Sequence, residues 1–107
     1  MTPPILVDQR DLTEEHWQDR AQGSIRWKSL LSRDVTNANA LVCGIAIMDP
    51  DESFTLHSHA EPEVYFGIEA EVDVHSGGAG QRMKPGVALF IPSNAVHGVL
   101  AADQHVQ

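Results

Sequence analysis

The fold of this chain is decided by the stretch His57-Ser58-His59-Ala60-Glu61-Pro62-Glu63-Val64-Tyr65. Side chains alternate between the two faces of an extended chain, so His57 and His59 point the same way if this segment is a strand. The preceding residues, Ser53-Phe54-Thr55-Leu56, are β-prone and alternate in polarity, which favours a strand. Two imidazoles on one face can ligate a single ion.

A carboxylate and a third imidazole complete the candidate ligand set. Glu63 and Tyr65 share one face of the strand that follows the turn at Pro62. Parity does not carry through a turn, so the placement of Glu63 on the histidine side is an inference. His97 follows an apolar segment and a Pro92-Ser93-Asn94-Ala95 turn, which swings the chain back toward the pair.

Three nitrogens and one carboxylate oxygen suit one divalent transition metal per chain, among Fe, Mn, Ni, Co, Cu and Zn. Four protein ligands leave one or two positions open on a five- or six-coordinate ion, and catalysis requires an open position. The competing interpretation is that these side chains are ordinary polar residues of a β-hairpin.

The same residues resemble the two motifs of the cupin superfamily. The first motif runs Gly, five residues, His-x-His, three or four residues, Glu, six residues, Gly; the second runs Gly, five residues, Pro-x-Gly, two residues, His. The matching residues are His57, His59 and Glu63 in the first motif, and Gly86, Pro92 and His97 in the second. The resemblance implies that His57, His59, Glu63 and His97 are metal ligands.

Three glycines of the cupin pattern are absent, and Asp51, Ala70 and Asn94 stand in their places. Asp and Asn tolerate the left-handed backbone best after glycine, so two of these departures are mild. Ala70 is the least expected of the three.

Short alternating segments separated by Gly/Pro turns favour an all-β barrel or jelly roll. The resemblance implies the same fold class, a cupin-type jelly-roll β-barrel with the metal inside and an open end for a small-molecule substrate. We expect one cupin domain over residues 1–107, with an N-terminal arm and short helix in 1–22 and the barrel in 23–107. The helix is predicted from Asp11-Leu12-Thr13-Glu14, which resembles a capping box, and runs to about residue 19.

Residues 32–39 are polar and are predicted to form a loop. Residues 40–48 are apolar on both faces and predict a central strand, in which Cys43 is a buried small hydrophobe rather than a nucleophile. Val72 and Val74 are predicted to point inward.

Related cupins usually continue beyond the position of Gln107 with a further strand, and its absence would expose a sheet edge. A second subunit would cover that edge, so we predict a homodimer.

The charge of the chain excludes several classes of partner. Its net charge is −8, from 15 acidic and 7 basic residues. This argues against nucleic acids and anionic membranes, both of which attract basic surfaces. A single cysteine and the lack of a visible secretory signal make a cytoplasmic location the default expectation.

A narrower resemblance points to the short cupin lyases that cleave dimethylsulfoniopropionate. It rests on Gly23-Ser24-Ile25-Arg26-Trp27-Lys28, on the His-x-His-x-x-x-Glu-x-Tyr run and on Asn94-Ala95-x-His97. It implies that Tyr65 is the catalytic base, and that dimethyl sulfide and acrylate are the products. The alternatives are an iron-dependent dioxygenase and a non-enzymatic metal- or ligand-binding module.

The segment before residue 30 supplies the candidate substrate-binding residues Arg26, Trp27 and Lys28. Either basic side chain could bind a substrate carboxylate, although a solvated strand face explains them as well. Trp27 could line the pocket or pack in the core.

Overall fold

The computed structural model describes residues 4–32 and 42–107, and within these ranges the chain forms nine β-strands and no α-helix. The strands are β1 (Glu15–His16), β2 (Arg26–Leu31), β3 (Cys43–Ile47), β4 (Phe54–His57), β5 (Glu63–Phe66), β6 (Val72–Ser76), β7 (Ala79–Met83), β8 (Ala88–Ile91) and β9 (His97–Val99). All strand pairs are antiparallel. The prediction of an all-β fold is confirmed. Of the predicted segments, the arm residues 1–3, the loop residues 33–39 and the strand residues 40–41 lie outside the described ranges.

The described strands form three sheets, with the orders β1-β2-β3, β4-β9-β6-β7 and β5-β8. They are not closed into a barrel, which corrects the prediction. For example, β3 and β5 do not pair with each other. Instead, Val106 exchanges backbone hydrogen bonds with Met48 beyond β3, and Gln107 does so with Glu69 beyond β5.

The predicted N-terminal helix is absent. Two short 3-10 turns are present instead, at Gln9–Asp11 and Arg20–Gln22, capped by the carboxylates of Asp8 and Asp19. Between them, Glu15–His16 form β1, which pairs with β2, so these residues have backbone partners in a sheet instead of a helix. A helix of nine residues is marginal on its own, so this pairing prevails.

The core lies between the sheets and is built mainly from aliphatic side chains. Val72 and Val74 are buried on the inner face of β6 while Asp73 is exposed, which confirms the alternation predicted there. The buried cluster consists of Ile25, Met48, Val72, Val74, Met83, Val99, Ala102 and Val106.

The prediction of a central strand with a buried cysteine is wrong. Among the described strands β3 lies at the edge of its sheet, and Cys43 is exposed. Val42, which precedes it, is 77% exposed. Ile47 and Met48, at the other end of the same apolar segment, are buried, so apolar composition on both faces does not by itself show which residues are buried.

The three residues that replace motif glycines keep the glycine conformation. Asp51, Ala70 and Asn94 have φ angles of 71°, 62° and 66°, and they are the non-glycine residues with positive φ in the described ranges. The left-handed region costs an L-residue about 1–2 kcal/mol, so the turns survive the substitutions at some expense in stability. No helix among the described residues is long and apolar enough to cross a membrane.

Candidate metal centre

Three strand ends and one turn bring the predicted ligands together. His57 ends β4 and His97 begins β9, and the two residues face each other in the antiparallel register. Glu63 begins β5, on the far side of the turn that follows His59. One ligand atom from each of the four side chains lies within 4.8 Å of the others. The structure thus places Glu63 on the histidine side.

Each histidine of the cluster is oriented by a backbone carbonyl. Nδ1–H of His57 donates to Thr55 O (2.8 Å), that of His59 to Glu61 O (2.7 Å) and that of His97 to Ala95 O (2.8 Å). A carbonyl oxygen can only accept, so the proton of each neutral ring lies on Nδ1 and the Nε2 lone pair is available. Metal-binding histidines are oriented by contacts of this kind.

The Nε2 atoms converge on the Glu63 carboxylate. Nε2 of His59 lies 2.9 Å and Nε2 of His97 lies 2.7 Å from Glu63 Oε1. Two neutral Nε2 lone pairs and a carboxylate are all acceptors, and acceptors repel one another at these distances. A positive charge, from a proton or a metal ion, must therefore lie between them. Ligands about 2.1 Å from one ion lie roughly 3–4 Å apart, a spacing close to that of this cluster. The donor set can therefore hold a divalent transition metal.

Burial and charge act differently on the three imidazoles. Partial burial lowers the pKa of His59, but hydrogen bonds to the Glu61 carbonyl and the Glu63 carboxylate outweigh it and raise the pKa above the usual value. For His57, burial dominates and lowers the pKa, and the neighbouring imidazoles add to this effect. His97 has no exposed surface.

The turn between β8 and β9 is hydrogen-bonded to the segment that carries His59. The backbone N–H of Asn94 donates to His59 O (2.8 Å), and the Ser93 hydroxyl donates to Ala60 O. The left-handed conformation of Asn94 aims its N–H at this carbonyl. Sequence reasoning did not identify this contact, although the position of Asn94 in the second cupin motif was a signal for it.

Tyr65 shares the inner face of β5 with Glu63. Its hydroxyl donates to Glu63 Oε1 over 3.4 Å, and its ring centroid lies 6.0 Å from that of His97. Burial raises the pKa of Tyr65, and the negative charge of Glu63 raises it further. With no cation beside it, the side chain is a protonated phenol at neutral pH.

The structure does not bring the basic candidates to this cluster. Arg26 forms ion pairs with Glu14 (2.6 Å), Asp49 (2.9 Å) and Glu52 (2.8 Å). Lys28 donates to the backbone and side-chain oxygens of Gln9.

Two cavities reach the candidate metal centre. One of about 480 Å³ is lined by His57, His59 and Glu63 together with Trp17 and Phe54. A larger one of about 920 Å³ includes Glu63, Tyr65 and Trp27 in its lining. Of the three predicted substrate-binding residues, Trp27 alone is among the described lining residues. Sequence reasoning missed Trp17, for which an aromatic residue in a polar segment was the available signal.

Comparisons with known proteins agree with the geometry. Residues 44–105 match the cupin domain family. The dimethylsulfoniopropionate lyase DddW of Ruegeria pomeroyi is 31% identical over 102 residues, which are 95% of this chain and 67% of that protein. The polyketide cyclase RemF from Streptomyces resistomycificus superposes with a TM-score of 0.81 at 20% identity, over 99% of this chain and 75% of that one. A predicted oxalate decarboxylase from Thermotoga maritima gives 0.79 at 23% identity, over 95% and 92% of the respective chains. The two structural likenesses are of fold alone, and the match over residues 44–105 shows that this chain belongs to the cupin domain family.

Proposed function

We propose that this chain is a divalent-metal-dependent lyase that eliminates a leaving group from the β-carbon of a small carboxylate, with dimethylsulfoniopropionate as the first candidate substrate. The observation that carries the proposal is the convergence of His57, His59, Glu63 and His97 beside Tyr65. The similarity to a dimethylsulfoniopropionate lyase supports the choice of substrate.

In this proposal the three Nε2 atoms and the Glu63 carboxylate hold the ion. When bound, the ion supplies a Lewis acid for the substrate carboxylate and lowers the pKa of acids beside it. The carbonyls of Thr55, Glu61 and Ala95 keep the imidazole rings oriented.

Tyr65 acts as the base. Its oxygen lies on the cavity side of β5, next to the side chain that binds the ion. The phenolate takes the proton from the carbon α to the carboxylate, and the electron pair of that C–H bond forms the Cα=Cβ double bond. The Cβ–S bond breaks with its electrons going to sulfur, which yields acrylate and dimethyl sulfide. Three causes raise the pKa of Tyr65: burial, the negative charge of Glu63 and the hydrogen bond to Glu63. Neutralisation of the Glu63 charge by a bound ion would remove the second of them.

The experiment measures dimethyl sulfide in the headspace after the chain is loaded with each of the six candidate metals. We expect release that depends on one of these metals and is abolished by a chelator. Tyr65→Phe should keep about one ion per chain and lose roughly 100-fold or more of the rate, the usual contribution of a general base.

Two results would count against the proposal. Release of dimethyl sulfide by Tyr65→Phe at the wild-type rate would exclude Tyr65 as the base. Absence of release with every metal, in protein shown by elemental analysis to contain one ion per chain, would exclude lyase action on this substrate.

A further inference from the structure

Two tryptophans lie on the inner face of the β1-β2-β3 sheet. Glu15 pairs with Trp27 and His16 with Arg26, and Trp17 directly follows this short ladder. Trp17, Ile25 and Trp27 all line the larger cavity, so their side chains lie on the same side of the sheet. Ile25 is buried in the core. The ring centroids of Trp17 and Trp27 are 4.9 Å apart and the rings are tilted by 50°.

Trp17 joins this aromatic pair to the candidate metal centre. It lines the smaller cavity together with His57, His59 and Glu63, and it lines the larger one together with Trp27. The residue is 37% exposed, although it is large and apolar. A molecule that reaches the metal ligands through the smaller cavity therefore passes an accessible indole.

The described lining of the two cavities contains no lysine or arginine side chain that would repel a cation beside the indoles, whereas Glu61 and Glu63 are acidic. The nearby basic side chains, Arg26 and Lys28, are held by other partners. Trp17 and Trp27 are therefore aromatic lining residues with no free lysine or arginine side chain beside them in the described part of the chain.

We propose that Trp17 and Trp27 form a subsite for the positive end of a zwitterionic substrate, a sulfonium or quaternary ammonium group joined by a short chain to a carboxylate. The carboxylate end of this assignment rests on the proposed function; the onium end rests on the aromatic pair and the local charges. An onium group has no N–H or O–H to donate, and the face of an indole is the aromatic surface that attracts such a cation most strongly.

The test compares two isosteric carboxylates that differ in charge. Calorimetry measures the binding of 3-(trimethylammonio)propionate and of 4,4-dimethylpentanoate to the Zn²⁺-loaded chain, because Zn²⁺ has no redox chemistry of its own. We expect the zwitterion to bind roughly 3- to 30-fold more tightly, the range that a cation–π contact supplies. Trp17→Leu should abolish this preference and leave the affinity for 4,4-dimethylpentanoate within about two-fold, since leucine keeps the site apolar.

Trp17→Phe is the matched control, because it retains an aromatic face and should retain part of the preference. Equal affinity of the wild type for the two ligands would overturn the proposal, as would an unchanged preference in both Trp17→Leu and Trp27→Leu. If neither carboxylate binds, the carboxylate subsite of the proposed function fails, and tetramethylammonium alone then decides the onium subsite. If tetramethylammonium binds the wild type and not Trp17→Leu, the onium subsite is supported. If tetramethylammonium does not bind the wild type, the onium subsite is overturned.

Discussion

Metal-dependent stability tests the candidate metal centre most directly. The cluster is assembled by folding from residues up to 40 positions apart (His57 to His97), so an ion binds the folded chain far better than the unfolded one. Such an ion stabilises by RT ln(1 + [L]/Kd), which is about 2.7 kcal/mol when the free ion exceeds Kd 100-fold. Each kcal/mol raises the melting temperature of a domain of this size by roughly 4–8 °C. The expected rise is therefore roughly 10–20 °C.

His97→Ala removes a ligand that has no exposed surface. It also leaves a cavity between β4 and β9, so the variant should melt below the wild type even in a chelator. The readout is therefore the increment that the metal adds, measured by differential scanning fluorimetry with and without chelator. We expect the increment to vanish in His97→Ala and to persist in His75→Ala, whose imidazole lies beside the β6–β7 hairpin. An increment of zero in the wild type, at millimolar concentrations of each candidate metal, would refute the reasoning.

Three further predictions concern other parts of the chain. Asp49 raises the pKa of His105, and His105 lowers the pKa of Asp49. The loss in free energy of unfolding caused by His105→Gln should therefore be greatest between about pH 4 and 6.5, and it should fade as the pH rises through the raised pKa of His105. Urea unfolding at about pH 5.5 and 9 would check this. Asn94→Gly should retain metal affinity, whereas Asn94→Ala should lose about 1 kcal/mol of stability and bind the ion more weakly in chelator competition, because alanine is strained at a φ of 66°. Among the described strands β3 pairs on one side only, and an edge strand of this kind can pair with a second subunit. We therefore predict a homodimer, which light scattering at micromolar concentration should detect and a clean monomer would contradict.

The candidate site was predictable because local rules govern most of it. Strand parity predicted His57 and His59 on one face, and the motif spacing predicted the return of His97 to the same place. In the structure β4 ends at His57, and the segment that carries His59 is held by the hydrogen bond from Asn94. The side on which Glu63 lies was not a local property, since it depends on the turn at Pro62. The resemblance to cupins supplied that part of the arrangement.

The predictions that were wrong depend on contacts between residues far apart in sequence. The segment after Asp11 contains a helix-start pattern, yet its backbone pairs with β2, and Arg26 bonds Glu14, 12 residues away, and Glu52, 26 residues away. Partners that lie far away in sequence therefore override predictions made from local sequence patterns. Arg26 looked available for a substrate carboxylate because its three acidic partners are scattered in sequence. Likewise, the amino-acid composition of β3 does not show whether another strand pairs with its edge or other residues bury it.

The three left-handed residues indicate how the fold keeps the metal ligands in place without the motif glycines. Each adjoins a backbone contact between distant segments: Asp51 N–H donates to Ala102 O, Asn94 N–H donates to His59 O, and Glu69, next to Ala70, exchanges hydrogen bonds with Gln107. A buried or half-buried hydrogen bond contributes about 1 kcal/mol, which is comparable to the cost of a left-handed L-residue. The side chain of Ala70 also packs against the core cluster, a contact that glycine would lack. The conformation is therefore retained because tertiary contacts offset its local cost, and the contact at Asn94 acts directly on a residue of the metal centre.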